Sequence, residues 1–180
     1  MKLRLFCVLI FFPLLHNAAN AGLIGGDLRF YGTVKALPCD VQAGDENILV
    51  DFKDISLKDL LLNQRSKKVP FAIHLINCNT AVYNSVTVTF SGIENRKLPN
   101  HLIVTPEEAG ADMSAIALGL QTENGTPVIL NEATAAQALS GSTKEIKFMA
   151  YIEGITDELR QGKVSYGSFS AVANYTLNYQ

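Results

Sequence analysis

Apolar and polar positions alternate with a period of two through most of this chain, most strictly at its end. In GSFSAVANYTLNYQ (167–180) every odd position is glycine or apolar: Gly167, Phe169, Ala171, Ala173, Tyr175, Leu177 and Tyr179. Such alternation marks a strand with one buried face. Chain ends fray unless something holds them, so a strand running to the last residue needs a partner. Similar alternation predicts strands in FYGTVKALPC (30–39), ENILVDF (46–52), VPFAIHLINC (69–78), SVTVTFSG (85–92) and EIKFMAYIEG (145–154). AIALGLQTENGTPVIL (115–130) carries Asn124-Gly125 between two apolar runs, a hairpin signal. DISLKDLLLN (54–63) and EATAAQALS (132–140) each suit a short helical turn. Many short strands separated by turn residues predict an all-β sandwich.

The other end reads differently. Lys2 and Arg4 precede an apolar run from Leu5 to Leu15, and Ala19-Asn20-Ala21 offers a small-x-small cleavage site. The run is short of the roughly 20 residues a membrane-spanning helix needs, and its flanks are those of a secretory signal peptide. Residues 1–21 are therefore set aside. Gly22 is the expected mature start, with no membrane anchor in the mature chain.

Removing the signal leaves 159 residues, a length for one domain, with 13 basic against 17 acidic residues and a net charge of −4. That balance gives no basic field for nucleic acid. Cys7 leaves with the signal, and Cys39 and Cys78 remain. Two cysteines in an exported chain are expected to form one disulfide. An immunoglobulin domain packs a tryptophan on its disulfide. Trp is absent here, and both cysteines fall in the first half, so the sandwich is of another lineage.

Catalytic chemistry is hard to assemble. His74 and His101 are the histidines of the mature chain, and neither has acidic or cysteine partners at metal-ligand spacing. His74 has the opposite parity to Phe71, Ile73 and Leu75 and is expected on the solvated face. A nucleophile elbow and a phosphate-cradling glycine loop are missing. Glu107-Glu108 beside Pro106 reads as solvated loop charge, with a sugar or ion contact as the alternative, and Asn174-Tyr175-Thr176 matches the N-glycosylation pattern. No enzymatic activity, cofactor or metal is expected.

Taken in order, these residues resemble the pilin subunits of the Gram-negative chaperone–usher pathway, of the type 1 and P pilus kind. That family has a glycine fourteen residues from the C-terminus and a penultimate aromatic, here Gly167 and Tyr179. Its first cysteine follows x-G-x-V-x-x-x-x-C, matched by Gly32, Val34 and Cys39. Its second ends F-x-I-x-L-x-x-C, matched by Phe71, Ile73, Leu75 and Cys78. The resemblance covers the whole mature chain. It implies an incomplete immunoglobulin-like β-sandwich that lacks its last strand and leaves a groove. Gly167, Phe169, Ala171, Ala173, Tyr175, Leu177 and Tyr179 would line that groove.

By the same resemblance a periplasmic chaperone would lend a strand alongside residues 167–179 and anchor the carboxylate of Gln180. The chain would then pass to an outer-membrane usher, where a neighbouring fimbrial subunit's extension replaces the chaperone strand. The matching donor segment here would be residues 22–31, with Ile24, Gly26, Leu28 and Phe30 on one parity, ahead of a pilin domain of residues 32–180. The family keeps a small residue at the position of Gly26, where the acceptor's floor rises. Leu60-Leu61-Leu62 is unusually apolar for a connecting loop, and suits either a cover over the sandwich edge or a subunit contact. The expected function is a structural subunit of a cell-surface fimbria supporting adhesion, internal rather than a tip adhesin. A second reading is a self-contained secreted sandwich that binds carbohydrate or protein through its loops.

Overall fold

The computed structural model describes residues 26–34 and 38–180. Residues 1–25, which hold the signal segment, Gly22 and Ile24, lie outside the described residues, as do residues 35–37. Residues up to 35 and residues 36–180 form separate units. In the first, residues 26–34 carry neither helix nor strand, and Leu28, Phe30, Tyr31 and Val34 are exposed. The expected strand over 30–39 is thus not present at 30–34. The alternation is there, but a ladder needs a second strand, and among the described residues these have none.

The second unit begins at the disulfide between Cys39 and Cys78. Strands β1 (Asp40–Val41), β2 (Val69–Ile76), β3 (Ser85–Gly92), β4 (Leu102–Ile103), β5 (Thr105–Pro106), β6 (Ile116–Thr122), β7 (Gln137–Ala138), β8 (Lys144–Gly154), β9 (Phe169–Ser170) and β10 (Ala173–Tyr179) follow. All pairings are antiparallel. One sheet has the order β1-β2-β8-β6-β4, a second β10-β3-β7, and β5 pairs β9.

Period two makes this a sandwich. Ile73 and Leu75 of β2 and Ile146, Phe148 and Ala150 of β8 turn inward from the larger sheet. Val86, Val88 and Phe90 of β3 meet them from the smaller one. Phe90 and Phe148 touch edge to face across the core, with ring centroids 4.8 Å apart. A second cluster around Ile116, Ile152 and Met113 fills one end.

Helix α1 (Leu57–Asn63) forms in the apolar stretch where a helical turn was expected, with the Ser56 hydroxyl accepting from the Asp59 N–H. Leu60 is buried in the second cluster beside Leu159 of α2 (Thr156–Arg160), whereas Leu62 is exposed. The segment therefore closes the end of the sandwich through Leu60. The alanine-rich stretch 132–140 is not helical: Thr134 N–H bonds Val88 O and β7 pairs β3, so sheet pairing overrides alanine's helix propensity. At Asn124-Gly125 the chain turns as expected, Gly125 having φ 85°. The return arm meets β6 in a bridge at Gln121 and Pro127, closed by Val128 N–H to Leu120 O and Thr122 N–H to Thr126 O.

Candidate functional site: an open groove along the C-terminal strand

The final alternation is divided. β9 pairs β5, residues 171–172 belong to no strand, and β10 then runs beside β3 from Ala173↔Gly92 to Tyr179↔Val86. The end is held: Gln180 N–H donates to Ser85 O at 3.0 Å, and Gln180 O accepts from Asn84 and Ser85. β3 is the partner that a strand running to the terminus requires. The opposite edge of β10 carries no backbone hydrogen bond among the described residues. An edge with unpaired N–H and C=O groups is a template for another strand.

Facing that edge is a second unpaired segment. A 3-10 turn at Asp45–Asn47 leads into residues 48–52, where Ile48, Val50 and Phe52 pack against the core while Leu49 and Asp51 are exposed. Its inward parity is the one the sequence predicts. It is not a strand, because its backbone has no ladder partner among the described residues. Contacts at both ends set it against the chain's end: the Tyr175 hydroxyl donates to Asp45 O at 2.8 Å, and Phe52 meets Phe169 with centroids 6.4 Å apart. The order 45 to 52 against 175 to 169 makes the two segments antiparallel. Side chains of both segments pack on the same main core, and neither facing backbone edge has a ladder partner among the described residues.

The Asp45 carboxylate fixes one end of this lip. Its Oδ2 accepts from the His74 backbone N–H at 2.5 Å and lies 2.9 Å from His74 Nδ1. His74 is thus half-exposed and held by Asp45, where its parity alone predicts a solvated side chain. Asp45 itself carries no sequence signal, since its partners are 29 and 130 positions away. Burial pushes the Tyr175 and Tyr179 hydroxyls above the usual tyrosine range, with Asp45 and Glu46 adding to the effect on Tyr175.

The remaining expected residues are placed as follows. Tyr175, Leu177 and Tyr179 are half-buried against the main core, and Tyr179 meets Tyr83 edge to face. Phe169 and Ala171 pack on the second cluster, while Ala173 is exposed. Gly167 precedes β9 with φ 142°, and a Cβ there would come 3.4 Å from the Glu108 carboxylate. Asn174 is exposed on β10. Gly26, Leu28 and Phe30 are exposed in the first unit. The disulfide joins the residue before β1 to the turn after β2, next to a bond from Asn79 N–H to Pro38 O. His101 lies 3.2 Å from Glu153 and takes no part in the groove. Among the described residues no cluster of metal-ligating side chains occurs.

A family model described as fimbrial protein matches residues 28–180. This chain belongs to the fimbrial protein family. The minor fimbrial subunit PmfF of Proteus mirabilis (strain HI4320) is 37% identical to this fimbrial protein over 179 residues, covering 99% of the chain and 97% of the relative. The fimbrial adapter PapK of Escherichia coli is 35% identical, covering 93% and 96%. In the crystal structure of the P pilus rod subunit PapA the same fold recurs, with a TM-score of 0.67 at 23% identity over 80% of this chain and 100% of that one. The fimbrial protein is a structural subunit rather than an enzyme, built as an incomplete immunoglobulin-like sandwich.

Proposed function

We propose that this protein is a link in a surface fimbria whose sandwich is completed by a strand from another chain. The carrying observation is the free edge of β10 facing the unpaired lip at 48–52 across an apolar floor. A strand laid there satisfies both backbone edges and covers the floor, so the joint needs neither nucleotide nor metal. In the periplasm a chaperone supplies that strand along residues 167–179 and holds the Gln180 carboxylate. At the outer-membrane usher, the extension of a neighbouring subunit displaces it. Residues 1–21 direct export, and residues 22–31, through Ile24, Gly26, Leu28 and Phe30, are the strand this subunit gives to its own neighbour. The cell surface is the destination, where the assembled fibre supports adhesion.

The test is deletion of residues 22–31 behind an intact signal segment in a Gram-negative host with matching chaperone and usher. The full chain enters denaturant-resistant, heat-labile multimers of several sizes. The deleted chain still binds chaperone but can only accept a strand, so its multimers end where it enters. Equal multimers from both chains, or a stable monomer from both, would overturn the proposal.

A further inference from the structure

We infer that Val172, Ile93 and Ile103 form an apolar strip, outside the groove, on which the folded domain of the neighbouring subunit sits. This rests on the strand-completion reading above and adds a second contact, body against body, at the Phe169 end of the groove.

The strip is one row of residues in register. Ala173 pairs Gly92, so Val172 and Ile93 are the next positions along the same two chains. Ile93 in turn lies opposite Ile103, whose N–H donates to Ile93 O at 2.8 Å next to the bridge between Glu94 and Leu102. Ile103 pairs Ala117, Ala117 pairs Glu153, and Glu153 bridges Arg65. The row therefore runs from the start of β10, past the end of β3, onto the larger sheet. Opposed residues share a face about 4.5–5.5 Å apart, so the three aliphatic side chains make one surface. Val172 and Ile93 are each 73% exposed, and Ile103 is 42% exposed. Further along, Arg65 Nε and Glu153 Oε2 pair at 2.8 Å and give the strip a charged rim.

The rest of that face has a different composition. Where β10 and β3 pair, the outward couples are Asn178–Thr87, Thr176–Thr89 and Asn174–Ser91, hydroxyl and amide groups throughout. At the fourth couple the pattern changes to Val172–Ile93. Outward positions accept polar residues without loss to the core, as the first three couples show. Single exposed aliphatics are ordinary, but a contiguous strip at one end of a polar face marks a surface that another molecule covers.

The occupant follows from continuity with the groove. Val172 directly precedes β10, and a strand seated on the free edge of β10 runs about 4.8 Å from that strand, within side-chain reach of the strip. The seated strand belongs to a folded domain, which stands at whichever end of the groove the strand leaves. At the Gln180 end the outward couple is Asn178–Thr87, and at the Phe169 end it is Val172–Ile93. The second gives an arriving domain apolar surface to bury, and the first does not. The domain therefore stands at the Phe169 end, on the strip.

The experiment places a photo-crosslinking amino acid at position 93, and separately at position 176, in the full chain made in a Gram-negative host with matching chaperone and usher. Thr176 is exposed on the polar part of the same face. In purified fimbrial multimers the probe at 93 joins this chain to the folded domain of a neighbouring subunit, identified by the crosslinked peptides, and the probe at 176 does not. A double variant, Ile93→Ser with Val172→Thr, leaves the core and the groove as they are and still enters multimers. These dissociate about tenfold faster in warm denaturant, the change expected on losing the burial of roughly one such side chain. Ile93→Ser alone serves if the double variant fails to fold. Capture of the chaperone alone at 93, equal capture at 93 and 176, or unchanged dissociation would overturn the strip and leave strand completion standing. Absence of multimers from the unsubstituted chain would remove both.

Discussion

The Tyr175 hydroxyl and the Asp45 carbonyl oxygen are joined at 2.8 Å although 130 positions of sequence separate them. The same Asp45 holds His74 through its carboxylate, so one residue ties the lip of the groove to both sheets. Hydrogen bonds to a charged group contribute more than neutral ones, about 1.5–3 kcal/mol. Asp45→Ala should therefore lower stability by about 1–3 kcal/mol, read as a lower urea midpoint. His74→Ala should cost less than this, because its backbone donor survives. In the double variant the losses should not add, since both remove one interaction.

Removing the disulfide tests the fastening of the start of β1 to the turn after β2. Closing a loop across a separation of 39 residues restricts the unfolded chain. Replacing both Cys39 and Cys78 with serine should lower stability by about 3–4 kcal/mol in the chain-entropy view. Equilibrium urea unfolding of the oxidised chain and of the double variant gives the difference directly.

Gly167 sits at φ 142°, a conformation that side-chain-bearing residues rarely adopt, with the Glu108 carboxylate close by. Gly167→Ala should cost about 1–3 kcal/mol from backbone strain alone. The Gly167→Ala, Glu108→Ala pair should recover little of it, because the strain lies in the backbone. Thermal unfolding of the two variants separates these contributions.

Alkaline pH should weaken the groove floor. The folded-state ionisation of Tyr175 and Tyr179 is raised above the ordinary tyrosine value of 10.0, first by burial. Their contribution to stability is then complete below that value and is lost as pH rises through the folded one. A Tyr175→Phe, Tyr179→Phe chain should lose less stability than the native chain between about pH 9 and 11. Urea midpoints across that range check the sign.

Strands β2, β3 and β8 were legible because each has a partner on both sides and one apolar face, so periodicity and structure coincide. At 48–52 the alternation correctly gave Ile48, Val50 and Phe52 as inward, yet no strand forms, since strand character depends on a neighbour that local sequence does not encode. The alanines of 132–140 misled for the converse reason: the edge of β3, outside the segment, supplies the pairing, with Val88 bonded to Thr134. Helix α2 and the Asp45–His74–Tyr175 linkage left no pattern. The first is too short to show a period, and the second joins three distant residues. Parity gave the inward positions of β10 and of 48–52, while the contacts that join the two segments needed the three-dimensional arrangement.

The free edge of β10 is seven residues long, and the strand pairs with β3 on its inner side through its whole length. A strand seated along such an edge lies lengthwise to a pull that separates the two chains. Tension would then load all the inter-strand bonds together, in shear, instead of opening them one at a time from an end. A joint of this kind can resist flow-driven force with a mere handful of backbone contacts.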